Sequence, residues 1–165
     1  MNLILPSVIK CFNSSNDLKD TTLIELVKLL TNMIKHIPQK VKYLIESEIF
    51  LRINPYLKLE KECSVELLYF ILIFVTEILY YSDNDDEGKL ISQKVVRTCL
   101  VLLSNEDDEK MKEALIFLLT NIASFDLNLL LDTMKDFPDF LLKINNLFMN
   151  GRQKVNYKQY NKFKH

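Results

Sequence analysis

Leu30-Thr31-Asn32-Met33-Ile34 returns as Val75-Thr76-Glu77-Ile78-Leu79 and once more as Leu119-Thr120-Asn121-Ile122-Ala123. The threonines stand 45 and then 44 residues apart. Each copy lies in a longer stretch whose apolar residues fall three and four apart, the spacing of one face of an α-helix. A helical unit recurring every 40 to 47 residues or so cannot bury its apolar face alone, so successive units stack and share a continuous core. This reading predicts an all-α chain organised as an α-solenoid, an architecture that favours a binding surface over an active site.

Outward from the echo, the first unit reads as a long amphipathic helix over 20–36, with Leu23, Leu26, Val27, Leu30 and Ile34 on its apolar face. Pro38 opens a short helix over 39–47, a position where its missing N–H has no intrahelical partner. A third helix follows over 49–59, which Pro55 is expected to kink or divide. The second unit repeats the order with 64–81, 87–92 and 94–103, the last carrying Val95, Val96, Cys99, Leu100 and Leu103. The third runs 108–124, 127–134 and 137–149. Residues 5–12 close a partial unit at the front. The boundaries are then 1–18 (partial), 19–62, 63–107 and 108–150, with 151–165 as a tail. Ser14-Ser15-Asn16-Asp17 and Ser104-Asn105-Glu106-Asp107-Asp108 precede long helices and offer N-cap oxygens and acids suited to the positive helix end.

Composition points the same way. Of 165 residues 48% are hydrophobic, enough for a continuous core, while two glycines and four prolines are too few to punctuate an all-β fold. Lys plus Arg number 21 against 22 Asp plus Glu. The near-neutral total predicts neither nucleic-acid nor membrane affinity. Its distribution is uneven, because residues 151–165 hold five cations (Arg152, Lys154, Lys158, Lys162, Lys164) and no acid, which leaves the rest with 16 cations and 22 acids. Tyr157, Tyr160 and Phe163 interleave with those cations, a pattern that stacks weakly on nucleic acid or docks on an acidic surface. A solvated chain end is the simpler account.

Cys11, Cys63 and Cys99 are odd in number and far apart, so neither a disulfide framework nor a zinc site is expected, and a reducing compartment, cytoplasm or nucleus, is. The start, Met1-Asn2-Leu3-Ile4-Leu5-Pro6, has no cationic region of a secretory signal. The most apolar stretch, 67–81, is shorter than the roughly 20 residues that span a bilayer and reads as a buried core helix.

Glu113-Ala114-Leu115-Ile116-Phe117-Leu118-Leu119-Thr120-Asn121-Ile122-Ala123-Ser124 resembles the third helix of an armadillo repeat, most closely the importin-alpha type, with a consensus near E-A-x-W-x-L-x-N-I-A-x-G. Gln39-Lys40-Val41-Lys42-Tyr43-Leu44-Ile45-Glu46-Ser47 is similar to the short first helix, and Leu5-Pro6-Ser7-Val8-Ile9-Lys10-Cys11-Phe12 to the second, which opens I-P-x-L-V. The likeness covers about residues 1–149. It implies a right-handed superhelix of about three to four three-helix repeats, armadillo- or HEAT-like. It also implies a non-enzymatic adaptor that binds an extended peptide in a concave groove, as in nuclear-import cargo recognition. A scaffold subunit that assembles through the solenoid ends or convex face is the alternative, because the apolar Met1 to Leu5 and 137–148 stretches cap the ends poorly.

In that family an asparagine on each third helix reaches the peptide backbone, and a tryptophan one turn earlier packs between peptide side chains. A carboxamide both donates and accepts, so it satisfies a peptide N–H and C=O together. The resemblance places the asparagine positions at Asn32, Glu77 and Asn121, and the tryptophan positions at Lys28, Ile73 and Phe117. The chain has no tryptophan, and only Phe117 keeps a ring. Asn32, Glu77, Asn121 and Phe117 are the expected peptide-binding residues, although periodicity alone would put Phe117 in the core.

No catalytic residue, metal or cofactor is expected. His36 and His165 have no ligand partners at metal spacing, and Gly88 and Gly151 cannot supply a phosphate loop or a nucleophile elbow. Asp83-Asn84-Asp85-Asp86-Glu87-Gly88 mimics the opening of a calcium loop, but Lys94 stands where a bidentate Glu is needed, so a solvated acidic loop is expected.

Overall fold

The long helix over 65–80 is apolar nearly all round, and such a helix must be covered on several sides. In the computed structural model, which describes residues 4–14, 18–47, 49–58, 62–82, 85–105, 107–140 and 142, this helix lies at the centre. The order is α1 (Ile4–Ser14), α2 (Asp20–His36), a 3-10 turn (Pro38–Lys40), α3 (Val41–Glu46), α4 (Ile49–Leu57), α5 (Val65–Tyr80), α6 (Asp85–Asn105), α7 (Glu109–Phe125) and α8 (Leu127–Met134). No strand occurs among the described residues. No helix there is long and apolar enough to cross a membrane.

α5 packs against α2 on one side and α7 on another, with α4 also against it. Its Leu67, Ile71, Leu72, Phe74, Val75, Ile78 and Leu79 interlock with Leu30 and Ile34 of α2 and Leu115, Leu118 and Ile122 of α7 in one buried cluster. Each such side chain contributes roughly 1.5–3 kcal/mol by leaving water. α6 covers α7 and α8 through Ile91, Val95, Val96, Cys99 and Leu100, and α1 lies on α2 and α4.

Two cross-helix pairs fix how α2 and α5 run. Lys28 Nζ lies 4.5 Å from the centroid of the Phe70 ring, and two turns later Lys35 Nζ is 2.9 Å from Glu77 Oε1. Partners are 42 residues apart in both pairs, so the helices are parallel at constant register. At their N-terminal ends the Ser64 N–H donates to Asp20 Oδ2 at 2.6 Å.

The caps follow the sequence in part. Ser64 Oγ accepts from the Leu67 N–H, Asp108 Oδ1 from Met111 and Asp126 Oδ1 from Leu129. α2 is different: its N-cap is Lys19, with no side-chain cap, and the acid at its start, Asp20, serves Ser64 on the next helix instead. The expected helices 87–92 and 94–103 are one continuous α6, because nothing between Ser92 and Lys94 breaks a helix. Asp85 to Gly88, expected in an acidic loop, form its first turn. α4 runs on through Pro55 without dividing. Helix begins again at 138–140, while 141 and 143–149 of the expected 137–149 helix lie outside the described residues, as does the basic stretch 151–165.

Candidate functional site

The three echoed segments all sit on α2, α5 and α7, and their threonines make the same local bond. Thr31 Oγ1 donates to the Val27 carbonyl at 2.8 Å, Thr76 to Leu72 at 2.7 Å and Thr120 to Ile116 at 2.9 Å. Thr31 and Thr76 are buried, whereas Thr120 is exposed on the helix that ends the row among the described residues. Each threonine satisfies its hydroxyl on its own helix, so it can be buried without a partner from elsewhere.

The residue after each threonine opens the site. Asn32 is exposed on α2, Glu77 is partly buried on α5 and Asn121 is partly buried on α7. The buried stripes of the three helices are Leu23, Val27, Leu30 and Ile34; Leu68, Leu72, Val75 and Leu79; and Met111, Leu115, Leu118 and Ile122. At helical spacing the residues away from those stripes are Glu25, Leu29 and Asn32 on α2, Tyr69, Phe70, Ile73 and Glu77 on α5, and Glu113, Ile116, Phe117 and Thr120 on α7.

Phe117 is a correction to the periodicity reading. It is 52% exposed rather than buried, with its neighbour Ile116 at 49%. The α7 core stripe already takes Ala114, Leu115, Leu118 and Leu119, which turns residue 117 outward whatever its size. A ring left in water beside Ile116 makes an apolar patch of the kind that marks contact surfaces.

The electrostatics differ along the row. Glu77 keeps only 17% of its side chain exposed and is tied to Lys35; Lys28 is shared between the Phe70 ring and Glu25 Oε1, 2.9 Å away. These pairs were not legible as motifs, since they depend on the 42-residue register between helices and not on the 45-residue echo. On α7, by contrast, Asn121 Nδ2 is shielded from water and has no hydrogen-bond acceptor. A buried donor left in that state costs about 1–3 kcal/mol.

Tyr69 and Phe70 meet edge to face, centroids 5.4 Å apart, which stiffens the aromatic edge of α5. Among the described residues no three His, Cys, Asp or Glu side chains converge as a metal site. Cys99 is fully buried on α6, and burial pushes its thiol up to about 12. Comparison with protein-family models, with curated proteins and with solved structures returns no match.

Proposed function

We propose that this chain is a non-enzymatic adaptor, an armadillo-like α-solenoid whose α2–α5–α7 row receives an extended peptide segment of a partner protein. The observation that carries the reading is that the three helices bearing the echo, α2, α5 and α7, pack in sequence through α5, with Asn32 exposed, Glu77 and Asn121 partly buried, and Phe117 exposed one turn before Asn121. The parallel register of α2 and α5 supports a repeat stack, because equivalent helices of successive repeats run in the same direction. Exposed Thr120, where Thr31 and Thr76 are covered, fits the open edge of such a stack.

The roles follow from chemistry. Asn32 and Asn121 each offer a donor and an acceptor to an extended backbone, and the orphaned Asn121 Nδ2 supplies a donor whose satisfaction adds to binding. Exposed Phe117 and Ile116 on α7 are the apolar contact for a peptide side chain. Glu77 serves the row through Lys35, which it orients, rather than as a free anion.

A test needs no prior partner. A displayed library of random 15-residue peptides is selected on the intact chain, and the best binder is titrated against Asn32→Ala with Asn121→Ala. Loss of two peptide-backbone hydrogen-bonding sites at about 1 kcal/mol each is expected to weaken binding roughly 10- to 30-fold with circular dichroism unchanged. Unaltered affinity in the double variant removes the proposal.

A further inference from the structure

We infer that Lys28 and Lys35 are a specificity filter: they occupy, from within the chain, the two cation-accepting positions on α5, so that the row takes segments with apolar side chains and turns basic ones away. The inference rests on the α2–α5–α7 row being the docking surface. Its grounds are the two contacts already described. Phe70 is partly buried against the core, and Lys28 Nζ of α2 lies over its ring at 4.5 Å, inside the roughly 6 Å over which the ring quadrupole attracts a cation. Glu77 lies seven residues on, two turns along the same stripe, and its carboxylate is held by Lys35 at 2.9 Å.

Without those lysines the α5 rim would offer an aromatic face and a partly desolvated carboxylate in line, two groups that each attract lysine or arginine. With them in place both positions are filled, and Glu25 is also matched by Lys28. An arriving basic side chain then finds the ring and the carboxylates already taken, and must displace a lysine to gain either, which discriminates against it. The α7 half of the row behaves differently, since Ile116 and Phe117 are open to an apolar side chain. The partner that fits is therefore an extended segment with aliphatic or aromatic side chains and no lysine or arginine facing α2.

Fluorescence anisotropy with a labelled octalysine peptide tests the filter at physiological salt. The wild-type chain is expected to bind it weakly. Lys28→Ala with Lys35→Ala is expected to bind about tenfold tighter, as the Phe70 ring and the Glu77 carboxylate lose the cations that fill them. Addition of Glu77→Gln should cancel most of that gain. A Lys28→Gln, Lys35→Gln pair, which keeps the stems that pack on α5, is expected to shift in the same direction and guards against misfolding of the alanine variant. No gain in either pair, or a gain that survives Glu77→Gln, overturns the inference. The two failures separate. A failed filter leaves the selected peptide dependent on Asn32 and Asn121, whereas failure of the docking row abolishes that dependence.

Discussion

Cys99 shows how one buried residue couples the fold to pH. Its thiol sits among Ile91, Val95, Val96 and Leu100, where an anion would be poorly solvated, and burial raises it from an ordinary 9.0 to about 12. The folded state therefore holds the proton more tightly than the unfolded one. The stabilisation is complete below about pH 9 and is lost as pH climbs towards about 12. Chemical denaturation between pH 8 and 11 should show a steeper decline for the wild type than for Cys99→Ala, and equal slopes would contradict this. The same burial makes the thiol inert, since the thiolate is the nucleophile. Maleimide at pH 8 should modify exposed Cys11 in the native chain and Cys99 only after unfolding. The sequence marked Cys99 as an apolar-face residue of 94–103, and burial depth was the part it did not carry.

Among the elements, the junction of α6 and α7 depends on Gly88. A Cβ at that position would run into the edge of the Phe125 ring, at Cδ1, Cε1 and Cγ. The glycine lets the first turn of α6 pass against the last turn of α7. Gly88→Ala should destabilise by about 1–3 kcal/mol in urea denaturation despite alanine's better helix propensity. Phe125→Leu in the same chain should recover part of that loss, and a neutral Gly88→Ala would refute the close approach. The sequence offers Gly88 both as the sixth place of an acidic loop and as part of a helix over 87–92; the helix is there, starting at Asp85, and the contact with Phe125 has no local signal. Sequence reasoning also divided α6 by carrying the three-helix template into a stretch without a breaker, where only a Gly or Pro would have ended the helix. By contrast 20–36 was legible to the residue, because the apolar spacing and the Ile37-Pro38 stop coincide there. The N-cap of α2 was not: Lys19 holds that position with no side-chain cap where Ser14 to Asp17 were expected to supply one, and first-turn Asp20 accepts from the Ser64 N–H across 44 residues of chain.

For the molecule as a whole, the echo of the threonines located the three helices that pack in sequence, and with them Asn32, Glu77 and Asn121. The lysine pairs that distinguish one half of the row from the other emerged only from the register of the folded helices. A competing surface exists on α8, where Leu127 and Leu131 are exposed one turn apart, as is Leu142 beyond it. An assembly subunit would use that side. The most direct measurement is an NMR titration of the isotope-labelled chain with the selected peptide. The account predicts amide and methyl shift changes gathered at Asn32, Ile73, Ile116, Phe117 and Asn121, with Arg97, Leu127 and Leu131 unmoved. Changes centred on α6 and α8, with the α2–α5–α7 row silent, would contradict it.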